Sequence, residues 1–307
     1  MRHPYPRLLT SCLSLFLGVM APLIATSYTD ITDVGISARM IGHGYISGFS
    51  NNASSIFENP ASLTTIKKAS ISGFNTTLFE DIHYNNIAFA AHTILGTFAV
   101  GYMEASILNI PFTGEVPEEE TFYVISEFDY KNTQMKVGYQ LDLSQKLSIG
   151  ASATRYETKY HTIKGVGYNI DVGALWQIKN VKLSTHVKNI LQDRSVKYAN
   201  GRTETPDLDL QLGGQIRFWD LTVYGGYQNK KNNQHTIKAA IDYLPPIFPY
   251  ITLYSGIKEG NVQSKRQLTA TFGFSLSLKP LYFDYSFQKC EHPSFDNNHY
   301  LSLSLDL

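Results

Sequence analysis

From residue 68 to its end the chain alternates, apolar side chains on every second position and small polar or charged ones between them. The last stretch is the cleanest: Leu301, Leu303, Leu305 and Leu307 share one face, and Ser302, Ser304 and Asp306 the other. A period of two belongs to extended strands and fits no helix. It recurs in about fourteen stretches, near 68–75, 82–91, 95–106, 128–141, 146–158, 166–177, 181–190, 208–218, 221–228, 235–243, 250–258, 267–278, 281–289 and 299–307. Most of them are long enough for a tilted strand to cross a bilayer.

A soluble sandwich alternates too, so the connections decide. Short ones at 92–94, 142–145, 179–180, 219–220 and 279–280 take turns with long ones at 107–127, 159–165 and 191–207, and the hairpins after Gln228, Lys258 and Lys289 are also longer. Short turns on one side and long loops on the other is the pattern of outer-membrane barrels. The segment 244–249, with Pro245, Pro246 and Pro249, departs from it. An even strand count places both ends of the barrel on the short-turn side. The fold expected is all-β: a transmembrane antiparallel β-barrel of about 14 strands over 68–307.

Composition agrees. Charged residues make up only 17% of the chain and aromatics 13%, with 20 tyrosines, which suits the interfacial girdles of a membrane barrel. The formal net charge of +0 points to no nucleic-acid partner. Beyond the N-terminus no apolar run reaches about eighteen residues, so helical membrane spans are excluded, and a chain in lipid must then close its sheet.

The first residues read as an export signal over 1–26: Arg2 and Arg7 precede an apolar core at 8–24, and Ala25, Thr26 and Ser27 supply small residues for cleavage. A membrane anchor is disfavoured by the short run and Pro22. Lipidation at Cys12 is disfavoured because its box precedes the apolar core. Loss of Cys12 leaves Cys290 alone, so no intrachain disulfide is expected. Export without disulfides fits the outer membrane of a Gram-negative-type, diderm cell, with outer-membrane lipids and the barrel-assembly machinery as partners.

Residues 35–63 read differently. Glycines punctuate the first half, and the second reads as a short helix that Asn52 or Ser54 caps and Asn59-Pro60 stops. Fourteen strands enclose more space than their own side chains fill, and the segment 27–67 is the expected occupant, a plug or hatch. Asp171, Lys182, His186, Lys188, Asp209, Arg217, Lys238 and Asp242 fall on inward positions, where they solvate the lumen or pair with the plug.

Nothing resembles a catalytic centre. His83, His92 and His186 are scattered, and His292 and His299 lack companion ligands, so no enzyme activity, metal or cofactor is expected. The longest loop joins the acidic run at 115–120 to the apolar residues Ile107, Leu108, Ile110 and Phe112. An apolar patch at a barrel mouth either greets a hydrophobic ligand or caps the plug.

Three segments carry a resemblance: Ser37-Ala38-Arg39-Met40-Ile41-Gly42-His43-Gly44, Ala53-Ser54-Ser55-Ile56-Phe57-Glu58, and Asn59-Pro60-Ala61. Placed after a signal peptide and before about fourteen strands, they look like the start of the FadL family of outer-membrane transporters, and their style resembles its PorV/PorQ-type branch. The resemblance implies a barrel closed by an N-terminal hatch that carries Arg39, Gly42, Gly44, Asn59, Pro60 and Ala61. It also implies passive uptake of hydrophobic small molecules such as long-chain fatty acids, leaving sideways through a kink in the third strand. Gly101 is the candidate for that kink; the alternative is that it makes room for an aromatic neighbour. PorV-like members instead serve secretion or bind a protein partner. The chain departs from the family in its short loops and in ending on Leu307.

Overall fold

The structure is a computed structural model describing residues 26–28, 30–116, 121–194, 196–231, 234–262, 265–289 and 297–307. Most of the signal segment, Cys12, residues 117–120 of the acidic run, Cys290 and His292 lie outside the described residues.

Fourteen strands form the wall: β1 (Ala69–Leu78), β2 (Ile82–Thr93), β3 (Gly96–Val116), β4 (Thr121–Ser144), β5 (Leu147–Tyr160), β6 (Ile163–Ile178) and β7 (Val181–Lys188), then β8 (Asp209–Phe218), β9 (Leu221–Lys230), β10 (Gln234–Tyr243), β11 (Ile251–Val262), β12 (Lys265–Leu278), β13 (Leu281–Gln288) and β14 (Asn298–Asp306). Each pairs antiparallel with the next, and β14 closes on β1 from Leu301↔Asn75 to Asp306↔Ser70. Closure leaves no edge strand, so the wall's backbone is paired within the sheet, as lipid demands.

The alternation is inverted relative to a soluble protein. Outward positions are apolar and exposed, such as Ile87, Phe89, Val100, Val137 and Leu303, whereas inward ones are polar and buried, such as Ser70, Ser72, Gln134, Gln140, Thr271 and Ser302. A face of exposed aliphatics around a polar interior is what a bilayer stabilises. The strand ends at Ala69 and Asp306 lie at one rim, here the turn end; the opposite rim is the far end.

Several connections differ from the sequence reading. The expected loop at 107–127 is mostly strand: β3 and β4 stay paired from Ile107↔Tyr130 to Val116↔Thr121, with register shifts between Ile107 and Ile110 and between Phe112 and Thr113. Ile107, Leu108, Ile110 and Phe112 are therefore strand residues on a projecting hairpin. β2 stops pairing with β3 at Ile107, and β5 with β4 at Tyr130, so both flanks beyond are free. Within 159–165 the strands stay paired up to Tyr160 opposite Ile163, Val262 stands opposite Lys265 with the same spacing, and Lys230 stands opposite Gln234 with one residue more between them. Thr, Val, Tyr and Ile in these segments favour extended chain, and the hairpin continues for as long as its partner does. The length asymmetry thus lies in strands more than in loops.

The connection between β7 and β8 is the longest, and it folds back over the far end. Its Val196–Tyr198 pairs with β6 and with Thr203–Pro206, and the latter pairs parallel with Thr26–Tyr28. Parity places the barrel's own ends at the turn side, but the chain before β1 begins at the far end. It crosses the lumen lengthwise to reach Ala69.

Candidate functional site in the lumen

Residues 30–66 have little regular structure: a 3-10 turn (Ile31–Val34), a short helix α1 (Ala38–Gly42), a second, α2 (Ser55–Glu58), and a 3-10 turn (Pro60–Thr65). Backbone outside a ladder must find partners elsewhere, and the inward serines, threonines and amides of the wall provide them. Ser302 Oγ accepts from Ala38 N (2.7 Å), Ser286 Oγ donates to Ala38 O (2.5 Å), Asn86 Nδ2 to Ile36 O (2.8 Å) and Thr271 Oγ1 to Gly42 O (3.1 Å). Lys238 Nζ donates to Tyr45 O (2.7 Å), and Ser70 Oγ accepts from Ala53 N (3.1 Å). The segment is bound on strands right round the barrel.

The motif residues are contact points. Asn59 is fully buried; its Nδ2 donates to Ser184 Oγ (2.8 Å), Thr185 O (3.2 Å) and Ala174 O (3.3 Å), while its Oδ1 accepts from Ala61 N (3.0 Å). Asn59 therefore ends α2 and also caps the following 3-10 turn, with Pro60 at its first position. Ser54 occupies the cap position of α2 without a side-chain capping bond; Asn52 Oδ1 accepts from both Ser54 N and Ser54 Oγ instead. Pro60 and Ala61 press on Gly150, where a Cβ would stand 2.4 Å from Pro60 C, and Asn59 presses on Gly173, where it would stand 1.9 Å from Asn59 Oδ1. Gly42 leaves room for the Tyr254 ring. Gly44 has φ +62 and lies against the Ile257 backbone, a conformation and an approach that a side chain would obstruct. Arg39 Nη2 lies 3.4 Å from Asp242 Oδ2, and His43 Nε2 lies 2.6 Å from Asp242 Oδ1 with its ring stacked 4.6 Å from Tyr224.

Gly101 supplies space. The ladder passes through it in register on both sides, Ala88↔Gly101 and Gly101↔Lys136, and a Cβ there would stand 2.4 Å from Phe57 Cζ. The irregularity of the third strand falls at Ile107–Ile110 instead.

Charges in the lumen are mostly paired. Lys188 bonds Asp30 (3.2 Å) and Thr32, Lys136 bonds Asp171, and Lys230 bonds Asp33. Burial alone raises the Asp30 carboxyl, but Lys188, the Thr32 N–H and Gln134 outweigh it and hold the group well below the usual carboxylate range. Burial opposes the Arg39 charge and Asp242 more than restores it. Glu58 differs. Burial pushes its carboxyl up, and hydrogen bonds from Ser50 and the Gly48 N–H only partly offset that. Of the predicted inward residues, Asp171, His186, Lys188, Asp209, Lys238 and Asp242 are buried, while Lys182 and Arg217 lie toward the turn end, less buried.

A cavity of about 350 Å³ lies between this segment and the far halves of β7–β11. Lys188, Lys230, Lys238 and Lys258 line its wall, with Lys258 Nζ 3.7 Å above the Tyr45 ring centroid, and Ile36, Met40 and Phe57 line it below. Those three belong to an apolar cluster that continues along β1–β3 through Phe74, Tyr84, Ala88, Ala90, Ala99, Met103 and Ala105. The cavity wall thus carries four lysines against Asp33 and Glu58, two of those lysines already paired, and it meets the apolar cluster at this floor. The sequence reading missed Lys230, Lys258 and the small apolar row. Alternation marks inward positions, but which strands face a common space depends on closure. The candidate apolar segment Ile107, Leu108, Ile110 and Phe112 does not line the cavity; Phe112 stacks on His161 at 5.8 Å on the projecting hairpin.

A closed 14-strand barrel packed by its own N-terminal segment has solved counterparts. The Pseudomonas putida toluene transporter TodX superposes with TM-score 0.65 at 13% identity, covering 89% of this chain and 99% of that one. The fold is FadL-like. A TodX deltaS2S3 mutant, a monoaromatic hydrocarbon channel, gives TM-score 0.61 at 12% identity over 89% and 99%, and a Pseudomonas aeruginosa FadL homologue gives 0.56 at 11% over 88% and 98%. No family model matches the chain, and no curated protein matches it by sequence. The FadL-like fold accounts for the crossing segment; the PorV/PorQ affinity has no counterpart in these likenesses.

Proposed function

We propose that the protein is a passive outer-membrane channel, not an enzyme, that admits hydrophobic small molecules, and that its preferred ligand is an amphiphile with an anionic head, such as a long-chain fatty acid. The observation that carries this is the floor of the cavity, where Lys238 and Lys258 face Ile36, Met40 and Phe57. Neither lysine is in an ion pair among the described residues; Lys238 bonds Tyr45 O and Gln228 Oε1, and Lys258 a ring face. A carboxylate placed there gains charge-assisted bonds while its chain follows the apolar cluster toward β3. Toluene and other neutral hydrocarbons, named for the TodX neighbours, use only the second half of that arrangement.

The test is binding of a fluorescent fatty acid to purified barrel, with K238Q/K258Q as the variant. Losing both charges should weaken the carboxylate probe about tenfold or more while leaving a neutral aromatic probe unchanged. Equal loss of both probes sinks the head-group reading, and absence of any hydrophobic binding sinks the channel. A second reading, a PorV-like barrel that docks a protein partner, draws on the projecting hairpin with Tyr123, Val124 and Ile125 exposed between free flanks. Stoichiometric recovery of an envelope protein, lost when the hairpin is shortened, is what that reading expects.

A further inference from the structure

The outer wall carries a groove that the lumen does not use. At the turn end of β6 and β7, Trp176, Ile178, Val181 and Leu183 together with the Lys179–Asn180 turn enclose about 270 Å³. Trp176 pairs with Leu183 and Ile178 with Val181, so the four side chains form one block on the lipid-facing side; Leu175 between them points inward and is buried. Toward β8 the block has no wall. Leu183 pairs with Gly214, and Gly214 pairs with Gly225. A Cβ at Gly214 would meet only Leu183 Cδ2, at 3.7 Å, and one at Gly225 would meet nothing within 4 Å. Two outward glycines side by side leave the surface beside the groove without side chains, as a trough across β8 and β9.

The height of the groove fixes what its upper end meets. The chain's 2 tryptophans are both at this rim, Trp176 beside the groove and Trp219 in the β8–β9 turn, and indoles settle at the head-group layer. Lys179 is exposed at the groove's end, in a turn held to β8 by Asn180 Nδ2 donating to Arg217 O (3.0 Å). Lys179 and Arg217 make no ion pair among the described residues, and neither does Asp220 of the next turn. The groove is apolar within the hydrocarbon layer and cationic at its edge.

We infer that this groove is a binding site for an anionic glycerophospholipid of the leaflet at the turn end, its phosphate on Lys179 and one acyl chain in the Leu183–Gly214–Gly225 trough. A zwitterionic lipid fills the trough equally well but brings its own ammonium to Lys179. The preference therefore rests on the head group, with a size set by one lysine near an anionic head.

Because the tryptophans are two, the site can be read directly. With Trp219→Phe, Trp176 is the sole indole, and the barrel is placed in phosphatidylcholine vesicles doped with either phosphatidylglycerol or phosphatidylcholine carrying brominated acyl chains. Brominated phosphatidylglycerol should quench Trp176 with an apparent affinity about fivefold higher, and adding Lys179→Ala should bring the two probes level. Equal quenching in the parent overturns the inference, and a preference that survives Lys179→Ala removes it from this groove. Native mass spectrometry of the unaltered protein is the independent check: one phosphatidylglycerol should remain bound after zwitterionic lipids have left, and simultaneous loss of both counts against the site.

Discussion

Asn59 shows how one side chain can hold a segment in place. It joins α2, the following 3-10 turn and the backbones of β6 and β7, and it is fully buried. Asn59→Ala leaves three wall acceptors and one N–H without their partner, each costing about 1–3 kcal/mol if water does not reach it. Single-channel recording should show a nearly silent wild type and frequent openings in the variant. Gly173→Ala should act alike, since its Cβ collides with Asn59 Oδ1, whereas Gly225→Ala, which meets nothing, should stay silent. Glu58 gives a pH test. Its folded carboxyl is raised above the ordinary 4.5, so between that value and the folded one the packed state holds the extra proton. Stability of the segment therefore falls as pH rises through that window and is recovered on acidification. Protease cleavage within 47–60 should be slower at pH 5 than at pH 7.5, and Glu58→Gln should flatten the difference. At this scale the sequence announced Asn59 through its neighbours Pro60 and Ala61. It was silent about Glu58, whose raised carboxyl comes from complete burial that the bonds from Ser50 and Gly48 only partly offset.

Among the elements, β3 carries the most information. Its inward row of Ala99, Met103 and Ala105 is apolar where other strands present serine, threonine or glutamine, and Gly101 admits Phe57. On the proposed uptake, a charge in that row should oppose an apolar ligand: Ala105→Asp should cost a hydrocarbon chain moving along it about 3 kcal/mol and slow uptake on the order of a hundredfold in a vesicle assay. The far end of the same strand has a separate role. Removing 110–126 should leave probe binding intact, because no described residue of that hairpin lines the cavity. Strand existence was legible from periodicity alone. Strand ends were not, because Thr113, Val124 and Tyr123 extend a hairpin that hydropathy alone reads as loop.

For the molecule as a whole, the meeting of the lysine-lined cavity with the apolar cluster makes ionic strength a discriminating variable. Raising salt from 0.05 to 0.5 M should weaken an anionic probe and leave a neutral one unaffected, because only the first meets Lys238 and Lys258 as charges. Barrel closure explains why the site was hidden: β1–β3 and β8–β11 are far apart in sequence and face one space only when β14 meets β1. The same seam has a consequence for biogenesis. Ala38 and Asn52 bond Ser302 and Ser304 of β14, the strand of the fourteen that lies furthest along the chain from them. These two residues thus take partners 264 and 252 residues further along the chain. Seating of the segment therefore depends on β14 being in place, which couples it to closure of the sheet through contacts of very high order.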